Sequence, residues 1–144
     1  MKISTRTRYG IRAMVDLAAN YRNKPVLIRE IAKRQKISVN YLEQIMLSLR
    51  KAGLVQSMSG AKGGYILTRK PGDIRVTGIV EVLEGSLSPV PCIDHEELCG
   101  RVKNCPARNL WVRVRKNIKG VLDSTTLKDL VENTAGKKAD IYQI

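Results

Sequence analysis

Acidic residues are scarce in this 144-residue chain: 13 Asp and Glu stand against 26 Lys and Arg, a formal net charge of +13. That imbalance sets it apart from a typical soluble enzyme and points to a polyanionic partner. No run of 18 or more apolar residues occurs, so nothing suggests a membrane-spanning helix. The opening MKISTRTRYG lacks the apolar stretch of a secretory signal, and the expectation is a cytoplasmic protein. Internal repeats and low-complexity tracts are missing. There is a single His and no pairing of nucleophile with base, so the chain does not read as an enzyme. The segment GAKGGY lacks the GxxxxGK[ST] pattern of a nucleotide-phosphate loop and is not followed by a helical stretch.

What charge there is lies unevenly. Residues 1–75 hold 16 of the Lys and Arg and only four of the Asp and Glu, whereas the remainder is almost balanced. A module that meets phosphates needs such a basic half; solubility alone does not. The length suits one compact unit with an appendage.

Apolar spacing organises the basic half. Tyr9, Ala13, Met14, Leu17, Ala18 and Tyr21 recur at three- and four-residue intervals and predict a helix from about Thr7 to Tyr21. IREIAKRQ predicts a short second helix. Ser38 is suited to cap a third, VNYLEQIMLSLRKAGL, with Tyr41, Leu42, Ile45, Leu49 and Ala52 at helical spacing and Gly53 placed to stop it. Two helices joined by a tight turn match a helix-turn-helix. The next apolar runs, Leu54-Val55 and Tyr65-Ile66-Leu67, flank a loop with Gly60, Lys62, Gly63 and Gly64 and predict a β-hairpin wing. The fold class expected is mainly α with a small β wing (α+β): a winged helix-turn-helix with a long C-terminal dimerisation helix.

Beyond the wing, Thr77 is read as the cap of a short helix containing Ile79, Val80, Val82 and Leu83. An irregular stretch follows, and Pro106 then reads as the first-turn proline of a long helix whose stripe is Leu110, Trp111, Val114, Ile118, Val121 and Leu122. Ser124 to Thr126 restart a short helix through Leu127 and Leu130, and the polar tail from Asn133 is expected to be loosely held. Because a three-helix winged domain has a core of its own, the long stripe is assigned to a symmetry mate, which makes the protein a homodimer. The division expected is 1–84 for a DNA-binding domain, 85–105 for a sensor loop and 106–144 for a dimerisation helix and tail.

All three cysteines, Cys92, Cys99 and Cys105, lie in that loop. An odd number in a cytoplasmic chain argues against a disulfide framework, and buried structural cysteines would be spread through the core. Thiols gathered in a polar loop suit a soft metal site, either an iron-sulfur cluster or zinc. No C-x2-C pair is present, although Cys92, His95, Cys99 and Cys105 offer a Cys3His set; a metal-free thiol sensor is the third reading.

Over nearly its whole length the sequence resembles the winged-helix repressors of the IscR, NsrR and CymR type. The resemblance is carried by MKISTRTRYGIRAM, SVNYLEQIMLSLRKAGLVQS, the wing GAKGGYILTR and the turn VLEG, together with LWVRVRKNIKGVLDSTTLKDL, which is similar to the CymR branch. The three cysteines instead resemble the IscR and NsrR branch. The resemblance implies a transcription regulator of iron-sulfur assembly, cysteine and sulfur metabolism or redox-stress genes, controlled by a cluster (2Fe-2S first, 4Fe-4S next) or, as in CymR, without a cluster and through a partner protein or thiol oxidation. A small iron-sulfur redox carrier is the rival from another class, and it leaves the basic half without purpose.

The resemblance also implies which residues meet double-stranded DNA at an approximately palindromic operator. Ser38, Asn40, Tyr41, Glu43 and Gln44 face the major groove, with Arg8 and Lys62 near phosphates or the minor groove. Asn and Gln can read adenine and Glu can accept from cytosine. Two departures matter here. Ser59 stands just before the wing's first Gly, where several relatives carry Arg. Arg108 stands three residues after the third cysteine, where cluster-binding IscR-like members carry a His ligand, and Arg8 occupies the place of the acidic ligand of NsrR-like members. His95 is then the first candidate for a fourth ligand, with Asp94, Glu96 and Glu97 next.

Overall fold

The computed structural model describes residues 2–21, 24–60 and 63–142. Helix α1 spans Thr5–Ala19, α2 spans Ile28–Gln35 and α3 spans Val39–Lys51. Ser38 caps α3 as its sequence position suggested: its hydroxyl accepts the Tyr41 N–H at 3.2 Å. Ser4, not the vicinity of Thr7, begins α1, its side chain accepting from the Thr7 N–H. Lys36, in the left-handed conformation (φ 55°), ends α2 and forms the tight turn into α3.

The wing is a two-stranded antiparallel sheet of β1 (Val55–Met58) and β2 (Gly64–Leu67), with Val55 opposite Leu67 and Met58 opposite Gly64. A third piece joins it, for Val26 and Tyr65 exchange both backbone hydrogen bonds, at 2.9 and 2.8 Å. This bridge runs the α1–α2 connection along the wing.

Helix α4 spans Val76–Glu84, α5 spans Arg108–Asp123 and α6 spans Leu127–Tyr142. Thr77 does not cap α4. Arg75 precedes the helix, and Thr77 is buried inside it, its hydroxyl bonded to the Asp123 carboxylate at the end of α5. Pro106 likewise lies two residues before α5 rather than in its first turn. Helix α6 continues to Tyr142, well past the point where periodicity ended it. Its start is a reciprocal cap: the Thr126 N–H donates to Asp129 at 2.9 Å, and the Asp129 N–H donates to the Thr126 hydroxyl at 3.2 Å.

The core joins Met14 and Leu17 of α1, Ile31 of α2, Leu42, Ile45, Met46 and Leu49 of α3, and Ile79 of α4. Leu127 of α6 is fully buried in the same cluster, held by a short backbone pairing in which the Leu127 N–H donates to the Ile74 carbonyl. The C-terminal segment therefore returns to the winged domain. Helix α5 is different, with no buried residue along its length.

Gly64 fixes the wing against α2. Its φ is +141°, and a Cβ there would lie 2.4 Å from the Val26 carbonyl oxygen. Backbone cannot yield as a side chain does, so Gly64→Ala is expected to destabilise the fold by about 2 kcal/mol or more. Urea unfolding at fixed protein concentration should show a lower midpoint.

Candidate DNA-binding face and cysteine loop

Helix α3 buries Leu42, Ile45, Met46 and Leu49 and exposes Asn40, Glu43 and Gln44. Three of the base-reading candidates are therefore free and on one side. Tyr41 is half-buried, its ring edge-to-face with Tyr9 at 6.0 Å, and Arg12 lies 5.2 Å over the Tyr9 ring. That stack fixes the entry of α3 against α1. Arg8 is exposed on α1, its guanidinium donating to the Thr5 hydroxyl at 3.0 Å. Ser59 is exposed at the start of the wing turn, and Lys62 lies outside the described residues.

Two arginines that periodicity does not reveal hold this face together. Arg6 of α1 donates to the Ser48 hydroxyl of α3, and Arg50 of α3 donates to the Ser57 hydroxyl of β1 at 3.3 Å. Helix α3 is thus tied on one side to the start of α1 and on the other to the wing.

The start of α1 is tied in turn to the end of α4. Glu84 accepts the Ser4 N–H at 3.1 Å, the Ser4 hydroxyl at 2.7 Å and the hydroxyl of the fully buried Thr7. A carboxylate at a helix N-terminus also meets the positive end of the helix dipole. The Thr7 hydroxyl first, and Ser4 next, hold the Glu84 carboxyl below its ordinary value.

Gly85 follows, and from it the cysteine loop departs. Its only regular pieces are short 3-10 turns, Pro91–Ile93 and Glu96–Leu98, and Ile93 is its buried residue. Asp94 gathers the Ser86 hydroxyl, the Ser88 hydroxyl at 2.7 Å and Arg115 of α5 at 3.4 Å; the two serines, more than Arg115, lower its pKa. Arg108 donates to the Cys92 carbonyl and to Glu96, both at 3.0 Å. His95 is exposed and pairs with Glu97 at 3.2 Å.

Cys92, Cys99 and Cys105 are free thiols, each half-buried. As donors they suit a soft metal or an iron-sulfur cluster. Among the described residues, however, no three His, Cys, Asp or Glu side chains converge as a metal-holding group. The fourth-ligand candidates are engaged elsewhere: His95 with Glu97, Glu96 with Arg108, Asp94 with two serines and Arg115. Among the described residues no helix is long and apolar enough to cross a membrane.

A helix-turn-helix with a wing, set in a basic half and followed by this loop, matches a known family over most of its length. Residues 3–133 fit the Rrf2 family, described as "Iron-dependent Transcriptional regulator". The chain belongs to the Rrf2 family of transcriptional regulators. It is similar to the HTH-type transcriptional regulator CymR of Bacillus subtilis (strain 168), 45% identical over 139 residues, which are 96% of this chain and 95% of that protein. The solved structure of CymR, the global cysteine regulator of B. subtilis, superposes with a TM-score of 0.78 at 43% identity, covering 92% of this chain and 98% of CymR. The structure of T. potens IscR superposes with a TM-score of 0.76 at 44% identity, covering 93% and 88%. The winged-helix architecture is that of these regulators, which are not enzymes.

The Glu84 contact gives a pH test with a defined sign. A carboxyl whose folded pKa is depressed stabilises the fold fully above its unfolded value, and the contribution disappears as pH falls through the folded value. Glu84→Gln should therefore be less stable than wild type near neutrality, and the gap should close as the pH falls below the ordinary carboxyl value and through the lowered folded one. Thermal unfolding of the two proteins across that range measures the difference, from which the other carboxylates cancel.

Proposed function

We propose that the protein is a cytoplasmic, dimeric repressor that binds an approximately palindromic operator, and that an iron-sulfur cluster in the cysteine loop alters its affinity for that operator. Residues 1–84 form the DNA-binding domain, 85–105 the sensor loop and 106–144 the dimerisation helix and tail. The observation that carries the DNA-binding part is the exposed polar side of α3, tied to α1 through Arg6 and to the wing through Arg50, in a half of the chain that holds 16 Lys and Arg.

Dimerisation rests on α5. Leu110 and Val121 are exposed at 49% and 64%, and Trp111, Val112, Val114 and Ile118 are only half-buried. An amphipathic helix with no buried residue is covered when a second copy supplies the same face.

Cys92, Cys99 and Cys105 would supply three thiolate ligands, and the cluster would bring a redox- and iron-sensitive link between them. Gathering the three thiols requires the loop to leave the arrangement held by Arg108 on Cys92 and by Arg115 on Asp94. Both arginines belong to α5, so a change in the loop alters contacts on the dimer helix and with them the spacing of two recognition helices. A second reading, a cluster-free repressor controlled by thiol oxidation or a partner protein, is favoured by the donors that do not converge and by the 45% identity to CymR.

For DNA, Lys62→Ala should weaken binding to all duplexes alike and reduce the salt slope by about one, whereas Gln44→Ala should relax preference at one base pair of a selected operator. Failure of the purified protein to prefer any duplex in a salt-sensitive selection would remove the regulator's proposed mode of action.

For the loop, the measurement is a visible spectrum of anaerobically purified protein with iron and sulfide counts. Each of Cys92→Ala, Cys99→Ala and Cys105→Ala should abolish the chromophore, and His95→Ala should destabilise it only if His95 is the fourth ligand. No iron in the reconstituted wild type, or a triple Cys→Ala protein with unchanged DNA affinity and response to oxidants, would leave the cluster-free reading in its place.

A further inference from the structure

Leu47 is out of place among the side chains of α3. It is 39% exposed, while the other aliphatic side chains from Leu42 to Leu49 are buried. With Asn40, Glu43 and Gln44 it completes the spacing i, i+3, i+4, i+7, which in a helix is a single stripe. A helix lying in the major groove reads bases with side chains at this same spacing.

Its surroundings argue against a protein partner. The helix positions next to Leu47 on the surface are Glu43, Gln44, Arg50 and Lys51, all exposed and polar or charged, so the leucine is a single apolar group in a polar and cationic setting. The two hydrogen-bonded anchors flank it: Arg6 on Ser48 lies one residue away and Arg50 on Ser57 three residues away. Its backbone position is therefore fixed relative to both α1 and the wing. In the major groove only one base carries an apolar group at its edge, thymine with its C5-methyl.

We infer that Leu47 is a specificity-determining residue that packs on a thymine C5-methyl in each half-site, one helical turn along the groove from the base read by Gln44. This inference rests on the proposed DNA-binding mode and adds a base-edge contact of different chemistry to it. Replacing thymine by deoxyuridine removes that methyl and leaves the base-pair hydrogen bonds in place. In a duplex selected for the wild-type protein, one such replacement per half-site should weaken wild-type binding about fifteenfold, the worth of burying two methyl groups, one from each half-site. The Leu47→Ala protein should bind the thymine and uracil duplexes equally. Because Leu47 is exposed, the variant should keep the wild-type circular dichroism and melting temperature.

Wild-type binding that is indifferent to every thymine-to-uracil exchange overturns the inference, as does a Leu47→Ala protein that still discriminates. In either case a Gln44→Ala effect on the same duplex would leave the DNA-binding mode standing. If the wild type selects no duplex at all, both fall together.

Discussion

Helices α1 and α4 pack directly against each other at Gly10. A Cβ at that position would lie 2.1 Å from Leu83 Cδ1 and 3.3 Å from Ile45 Cγ2, so α1, α3 and α4 meet where one residue has no side chain. Everything nearby inherits this geometry. Thr7, Gly10, Ala13, Met14 and Leu17 form the buried stripe of α1, and Leu83 docked on Gly10 places its neighbour Glu84 over the first turn of the same helix. The root of the cysteine loop, at Gly85, is thereby attached to the core and to the start of α1 at once.

Charge is arranged so that the basic half stays basic. Of its four acidic residues, Asp16 is buried and spent internally, accepting both Arg34 nitrogens at 2.7 and 2.9 Å and the Gln35 amide at 3.0 Å. This bond joins α1 to the end of α2, and it raises the pKa of Arg34. Arg34 is partly exposed, so the pair is worth more as a positional constraint than as stability. Arg6, by contrast, has no carboxylate partner among the described residues; it reaches a serine, and its Nε is buried without a hydrogen-bond acceptor. The cations along α1 and α3 are left largely uncompensated, as phosphate contact requires.

Local signals were legible in the sequence and long-range ones were not. The second helix was read with its actual bounds because Ile31 and Ala32 alternate with charges at helical spacing, and Ser38 was read as a cap because capping depends on its own next three residues. Thr77 was misread because its hydroxyl is satisfied 46 residues away at Asp123. The return of α6 to the core was missed for the same reason, since Leu127 and Leu130 read as the apolar positions of a short separate helix until Ile74 is beside Leu127. The cysteine loop sits between these cases. Donor type and clustering could be read from the letters, but convergence is three-dimensional, and there the thiols do not form a metal-holding group.

That loop is held mainly by solvent-exposed ties. Ile93 is its buried residue, and its ties to α5 run through Asp94–Arg115 and Glu96–Arg108, where Glu96 is 69% exposed and Asp94 30%. Ion pairs this open to water contribute little to stability. The two ends of the loop are firm by comparison, Glu84 in its network with Ser4 and Thr7, and α5 in a continuous helix. A segment with weak internal anchors between rigid ends can open locally at small cost. One end caps the helix that supports α3 through Arg6, and the other begins the helix proposed to join two copies. The cysteine loop is thus joined at one end to the cap of α1 and at the other to the start of α5.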